Sequence, residues 1–318
     1  MATKQKILID CDPGHDDAVA ILYAHRHMDL VGVTTVHGNN SLENTTRNAL
    51  AVVEMGRIDV PVAAGCAEPL AQVPVGIAAM HGKSGLDGAD IPDPTRTVIG
   101  THAVDFIIAM AEKHKGELIL ATIGPETNIA MALRREPRLK QWIREIAVMG
   151  GSTTLGNITP AAEFNIFADV EAAWAVYESG IPIRMVGYNI TRQTGFDQGD
   201  IDRMRASGRK VASVLADLMA FYLEKQRVGY GLNVAPMHDV CAIIPYIDPT
   251  LIDYVHTSAR IELTGTYTRG MTVCDLRTLM NSQAINMRHA TPANAHVAVA
   301  ARSRALIDQV VDTLLTYD

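Results

Sequence analysis

The chain has 318 residues, of which 48% are hydrophobic and 20% charged, a balance that excludes a disordered chain and supplies ample apolar surface for a core. Its 28 Lys and Arg stand against 35 Asp and Glu, giving a formal charge of −7 with no basic block; together with few, scattered aromatics this excludes a nucleic-acid partner held by bulk electrostatics and base stacking. No window of about 18 uncharged apolar residues occurs, the N-terminal apolar run is too short for an export signal, and Cys11, Cys66, Cys241 and Cys274 form no C-x-x-C pair. A cytoplasmic chain with reduced thiols and no membrane partner is therefore expected.

In chain order, Ile7-Leu8-Ile9 reads as a buried strand, followed by a helix over about 16–26. A second strand is expected over 30–36 and a helix over 42–55. Residues 104–113 read as helix, 118–123 as strand, and 128–135 as a helix that stops before Pro137. A strand over 146–149 ends at Gly150-Gly151; a helix over 170–179 and a strand over 183–186 follow. The second half is less regular: a long helix over 211–225, the start of another at 240–244, antiparallel hairpin material over 261–273, a strand over 297–299 and a helix over 303–315. The β-α-β-α rhythm predicts an α/β fold with an open, mostly parallel, Rossmann-like sheet flanked by helices and some antiparallel strands in the C-terminal half. With no linker, repeat or low-complexity tract, a single domain over 1–318 is expected.

In parallel α/β sheets ligands bind outside the carboxyl ends of the strands. After the first strand the chain reads Asp10-Cys11-Asp12-Pro13-Gly14-His15-Asp16-Asp17, four aspartates in eight residues. Two of them open a helix and could serve as caps, each gaining about 0.3–1 kcal/mol from the helix dipole. Capping needs one or two carboxylates, and crowding four costs energy unless a cation or a hydroxyl-rich ligand compensates. Later strands are followed by His37-Gly38-Asn39-Asn40, by Gly124-Pro125-Glu126-Thr127-Asn128, and by Gly150-Gly151 with Gly156-Asn157 and Glu163-Phe164-Asn165 beyond it. His238-Asp239 precedes an apolar helix start. Each segment alone also reads as turn or cap chemistry. Together they supply almost only oxygen donors, which favours Ca²⁺ or Mg²⁺ over zinc. No G-x-G-x-x-G follows the first strand and no P-loop occurs.

The run Asp10 to Ala18 resembles the N-terminal signature of the inosine-uridine preferring nucleoside hydrolases. The resemblance continues, in the family's order, through Val36-His37-Gly38-Asn39, Gly124-Pro125-Glu126-Thr127-Asn128-Ile129-Ala130 and Val148-Met149-Gly150-Gly151. It extends to Ala162-Glu163-Phe164-Asn165, Met237-His238-Asp239 and Glu262-Leu263-Thr264-Gly265. It implies the nucleoside hydrolase fold and hydrolysis of ribonucleosides, uridine, cytidine and inosine favoured, to ribose and free base in nucleoside salvage. It implies Ca²⁺ held by Asp12, Asp17, the Thr127 carbonyl and Asp239, which supply about five of the six to eight oxygens that Ca²⁺ takes. By the same resemblance Asp12 is the general base on the attacking water. Asp16, Asn39 and Asn165 hold the ribose 2′- and 3′-hydroxyls, Asn157 and Glu163 the 5′-hydroxyl, and Met149 packs nearby.

His238 is the expected acid for the leaving base. Gln226 and Tyr230 match base-side positions of the pyrimidine-preferring branch, with Tyr222 and His81 as further candidates. The segments 72–90 and 222–234 are expected as mobile lids. Trp142 and Trp174 fall away from the motifs, which disfavours the purine-specific branch. A dimer or tetramer is implied as well. Three alternatives remain open: a modified or unusual N-riboside as substrate, a non-catalytic nucleoside-binding protein, and a Mg²⁺-dependent phosphohydrolase with Asp10 as nucleophile.

Overall fold

In the computed structural model, which describes residues 4–75, 78–279 and 291–318, the apolar runs become the interior strands of one sheet. β1 (Lys6–Cys11), β2 (Asp29–Thr35), β3 (Val62–Ala64), β4 (Leu118–Thr122), β5 (Ile143–Met149) and β6 (Ile183–Val186) run parallel in the order β3-β2-β1-β4-β5-β6. Two short strands, β7 (Gly195–Phe196) and β8 (Ala235–Pro236), pair with each other. Of the last four, β9 (Ile252–Thr257) and β12 (Ala295–Ala301) extend the main sheet, β12 parallel to β6 and β9 antiparallel at the edge. β10 (Ala259–Ile261) and β11 (Thr272–Cys274) form a separate antiparallel pair, in the stretch read as hairpin material. The expected α/β architecture is observed.

Side chains alternate across a strand, and a parallel sheet covered on both faces needs apolar residues at every position. Ile7, Ile9 and Cys11 therefore enter one core and Leu8 the other; Ile119 and Ala121 likewise oppose Leu118 and Leu120. The first core is closed by helices His15–His27, Leu42–Met55, Lys210–Tyr230 and Ser303–Leu314, the second by Ala103–Lys113, Thr127–Arg135 and Val170–Tyr177. The chain winds from β1 outward to β2 and β3, then returns to place β4 on the other side of β1. That reversal is a topological switch point, where a crevice opens at the carboxyl ends of the strands.

Two strands of the sheet are absent from the sequence-based expectations. β3 is a three-residue edge strand directly after Pro61, and β9 is a half-exposed edge strand whose residues IDYVHT carry no apolar run. Edge strands lack a second covered face and so lose the signal that marks interior ones. The long helix runs on to Tyr230, where Gly231 takes a left-handed φ of 66° and stops it. Most of the expected second lid, 222–234, is thus the end of a helix rather than a loop. In the first expected lid, 72–90, residues 78–81 form a helical turn, while residues 76 and 77 lie outside the described residues. Among the described residues, no helix is long and apolar enough to cross a membrane.

Candidate active site

At the switch point the chain leaves β1 through Asp12, turns at Pro13-Gly14 and enters the helix His15–His27. Asp17 closes this turn: its Oδ2 accepts the Gly14 N–H at 2.8 Å and its Oδ1 the Asp12 N–H at 3.3 Å. One carboxylate therefore does the capping, and the other three serve something else. Asp10 is fully buried, and its Oδ1 accepts hydrogen bonds from the Thr34 hydroxyl and, at 2.8 Å, from Asn128 Nδ2. It ties β1 to β2 and to the helix after β4, and like Asp12 it is not among the lining residues of the cleft described below.

Asp12 is gripped by two loops. Its Oδ2 accepts the Asn39 N–H at 2.6 Å, and Asn39 Nδ2 donates to the Asp12 carbonyl at 3.1 Å. A Cβ on Gly38 would lie 2.0 Å from Asp12 Oδ2, and one on Gly124 would lie 2.5 Å from Oδ1. The glycines after β2 and β4 thus make room for this one carboxylate. Oδ1 is buried and has no hydrogen-bond partner.

Asp16, Asp17 and Asp239 each bring a carboxylate oxygen within 4.8 Å of the others. The expected cation ligands were Asp12, Asp17, the Thr127 carbonyl and Asp239; the tight trio has Asp16 in place of Asp12. Asp16 and Asp17 are neighbours in one helical turn facing Asp239, whereas Asp12 is drawn toward the Asn39 amide. Thr127 opens the helix after β4, its hydroxyl donating to Asp169 at 2.7 Å beside His37 Nε2 at 2.9 Å. Burial and then mutual repulsion push Asp12, Asp16 and Asp239 well above the usual carboxylate range, and burial lifts Asp17 to about 6. The charges that act on these acids are one another's. Crowding such a set costs energy that a cation among the carboxylates offsets, and an all-oxygen donor set suits a hard divalent ion.

The cleft above the acids has a cavity volume of about 60 Å³. Asp16, Asn39, Met149, Asn157, Glu163 and Asn165 line one side. Asn165 Nδ2 donates to the carbonyls of Ile123 (2.9 Å) and Met149 (3.0 Å) and lies 3.3 Å from the Met149 sulfur. Glu163 caps the helix Phe164–Ala168 and accepts the N–H groups of Gly151, Asn165 and Ile166; burial raises it to about 7. Asn157 Oδ1 accepts the Phe164 N–H at 2.8 Å. Asn39, Glu163 and Asn165 are thus anchored on backbone at or just after the ends of β1, β4 or β5, and Asn157 on the start of the helix Phe164–Ala168.

The opposite side is built differently. Tyr222, Gln226 and Tyr230 follow one another at four-residue spacing on one face of the long helix, Tyr222 and Gln226 buried and Tyr230 47% exposed. Met80 and His81 come from the helical turn Ala78–His81, and His81 stacks on Tyr222 at 5.2 Å. His238 Nδ1 lies 2.6 Å from the Thr191 hydroxyl, and burial pulls the ring down to about 4. Trp142 is covered by Lys115 and Arg138, and Trp174 is on the surface; neither lines the cleft.

Eleven of the twelve expected catalytic and substrate-side residues line one cleft; the twelfth, Asp12, is not in the lining and is joined to it through the Asn39 amide. Sequence reading missed Tyr188, Ile123, Phe164 and Met80 in its lining. Tyr188 follows β6 as the other site segments follow their strands, so the same rule applied to that strand finds it. Met80 lies in the segment with least pattern. Glu126, fully buried with neither carboxylate oxygen partnered, also escaped notice.

Comparison with known proteins agrees with this geometry. The model of the family described as inosine-uridine preferring nucleoside hydrolase matches residues 7–308. The pyrimidine-specific ribonucleoside hydrolase RihB of Escherichia coli (strain K12) is 42% identical over 274 residues, covering 86% of this chain and 88% of that protein. Among solved structures, the plant nucleoside hydrolase PpNRh1 superposes with a TM-score of 0.90 at 30% identity, covering 98% of this chain and 99% of its own. A purine-preferring ribonucleoside hydrolase from Gardnerella vaginalis gives 0.89 at 30% identity, covering 98% of both chains.

Proposed function

The chain belongs to the inosine-uridine preferring nucleoside hydrolase family and is a hydrolase of ribonucleoside N-glycosyl bonds, and from this premise we propose that it is a Ca²⁺-dependent enzyme that favours uridine, cytidine and inosine and serves nucleoside salvage in the cytoplasm. The observation that carries the reading is the buried acid set at a cleft whose one wall is mainly carboxylate and amide groups and whose other wall is mainly aromatic. The pyrimidine specificity named for the 42% identical relative supports the choice of base.

In this reading Asp12, Asp17, the Thr127 carbonyl and Asp239 hold the cation, with Asp16 beside them. When bound, Ca²⁺ supplies a fixed positive charge that keeps the carboxylates ionised and gives the ribose diol a hard coordination partner. Asp12 takes the proton of the attacking water on Oδ1, the oxygen that no other group engages. Asp16, Asn39 and Asn165 orient the 2′- and 3′-hydroxyls, and Glu163 and Asn157 the 5′-hydroxyl. Met149 lies against the sugar. Positive charge develops on the ribosyl ring as the bond to the base breaks, and a wall of carboxylate and carbonyl oxygens stabilises it.

The leaving base must gain a proton as it accumulates negative charge. His238 is the donor in this account. Burial holds the free ring neutral; the growing anion beside it raises its affinity for a proton, which the ring takes up from solvent and passes to the base. Its Nδ1 is engaged by Thr191, so the other nitrogen is the one left for the base. His81, Tyr222, Gln226 and Tyr230 contact the base. A homo-oligomer, dimer or tetramer, completes the proposal, and sedimentation equilibrium reads it directly.

The test is base and sugar release from a panel of ribonucleosides after chelation, then with Ca²⁺ or Mg²⁺ restored. Release from uridine, cytidine and inosine that Ca²⁺ restores is expected. Absence of release from every common nucleoside, with Ca²⁺ still bound, would overturn the substrate assignment in favour of an unusual N-riboside or a binding role.

A further inference from the structure

His15 stands one residue before Asp16 and Asp17, yet its side chain points away from the acid cluster and toward the base side. The ring is fully buried and engaged at both nitrogens: Nε2 is 2.8 Å from the Asp87 carbonyl oxygen, and Nδ1 is 3.0 Å from Nδ1 of His81. A carbonyl oxygen only accepts, so His15 Nε2 carries the hydrogen. Neither partner is a carboxylate, and an imidazolium buried between a carbonyl and a second imidazole would be an uncompensated charge. His15 is therefore neutral, its one proton is on Nε2, and its Nδ1 is a bare acceptor.

The contact between the two Nδ1 atoms then has one direction. His81 Nδ1 donates, which spends the single proton of a neutral imidazole and leaves its Nε2 bare. The His15 backbone N–H is also placed to donate to His81 Nδ1, at 3.4 Å, a longer contact that would need that nitrogen bare. The shorter ring contact, and the carbonyl that fixes His15, decide between them. Packing fixes the orientation of the ring as well. A Cβ on Gly14 would lie 2.6 Å from His81 Nδ1 and 2.8 Å from Cε1, so that edge rests on Gly14 and the edge carrying Nε2 is left for the cleft. Tyr222 stacks on both imidazoles at 5.2 Å and Phe221 on His15 at 5.6 Å.

We propose that His15 is a positioning residue that holds the proton of His81 on Nδ1, so that His81 offers the bound base a bare Nε2 and accepts a hydrogen bond from one of its N–H groups. The substrate half rests on the nucleoside hydrolase reading of the cleft; the proton placement stands independently of it. Uracil and hypoxanthine carry a ring N–H and cytosine an amino group, so each offers a donor. The same arrangement bars His81 from protonating the base, because its only proton faces His15, and it leaves that task to His238.

Long-range proton–nitrogen NMR of the full chain labelled with ¹⁵N-histidine reads the two tautomers, assigned through His15→Phe and His81→Phe. His15 as the Nε2–H form and His81 as the Nδ1–H form are expected, with His81 reverting to Nε2–H in His15→Phe. In kinetics, His15→Phe keeps an aromatic ring against Tyr222 and lowers kcat/KM for uridine about tenfold, the worth of one hydrogen bond. It affects a nitrophenyl riboside, whose leaving group has no N–H, clearly less. An Nε2–H form of His81 in the unsubstituted protein overturns the proposal, and that spectrum decides even if His15→Phe does not fold. Equal losses on the two substrates overturn the base contact. No release from any ribonucleoside removes the substrate half and leaves the tautomer result to be judged alone.

Discussion

The two walls of the cleft are made in different ways. On the side proposed for the ribose, Asn39, Glu163 and Asn165 lie near the carboxyl ends of parallel strands, are bonded to backbone amides or carbonyls, and are nearly sealed from solvent. On the base side the residues come from the last turns of a long helix and a short helical turn, touch one another through rings, and reach the surface at Tyr230. Backbone anchoring fixes atoms to within the tolerance that chemistry on a sugar demands. Ring stacking on helix ends leaves a surface that can change its side chains without disturbing that chemistry, as expected where related enzymes differ in the base they accept.

The sharpest way to break this division is Asp12→Asn, which keeps the shape between Gly38 and Gly124 and removes the base. Turnover of every nucleoside should fall about 10²–10⁴-fold, the usual worth of a general base, and near-normal release of reducing sugar would contradict the assignment. Gly124→Ala comes next. Its Cβ would lie 2.5 Å from Asp12 Oδ1 and 3.0 Å from the Asp12 backbone nitrogen, so the carboxylate must move. A loss of about 100-fold is expected, the cost of displacing a catalytic group by an ångström. On the base side, a Cβ on Gly229 would meet only Met80, its sulfur at 3.7 Å and its methyl at 3.9 Å, so Gly229→Ala should be tolerated and should stabilise the helix by about 0.5–1 kcal/mol in a thermal melt. Equal damage from the two substitutions would dissolve the contrast.

The carboxylates also separate the walls by pH. Burial lifts Asp10 and Glu163 to about 7 and Asp17 to about 6, above the ordinary 3.8 and 4.5. A group whose folded pKa is raised binds its proton more tightly in the folded state, so its contribution is full below about pH 4 and lost as pH rises to about 7. The melting temperature of the chelated protein should therefore fall across that window. Added Ca²⁺ should recover much of the loss, since a cation takes the proton's place at Asp17. A melting temperature that climbs with pH under chelation would contradict the buried-acid picture. The smallest effect is expected at half-exposed Tyr230. Tyr230→Phe should change kcat/KM only a few-fold, a change on the scale of one exposed hydrogen bond, and should do so unequally for uridine and inosine.

Legibility in the sequence followed the same boundary. Interior parallel strands announce themselves as apolar runs, and residues read after β1, β2 and β5, namely Asp16, Asn39, Asn157, Glu163 and Asn165, do line one cleft. Edge strands β3 and β9 did not, being short or half exposed. Tyr188, after β6, was within reach of the same rule. The base wall was legible only in part: Gln226 and Tyr230 came through resemblance, but their helical spacing was lost because the long helix runs five residues beyond its expected end at 225, to Tyr230. Met80 carries no pattern at all. The link from Asp87 through His15 to His81 joins His15 to a segment 66 to 72 residues further along the chain through side chains and a carbonyl, a relation that periodicity cannot express.

The central claim is that sugar chemistry and base departure are handled by separate walls, and one substrate tests it most directly. A nitrophenyl riboside carries a leaving group that needs no proton. Against it, Asp12→Asn should be as damaging as against uridine, whereas His238→Ala should lose about 10²–10⁴-fold on uridine and little on the nitrophenyl riboside. If His238→Ala instead loses equally on both, His238 does not protonate the base and the division between the walls fails.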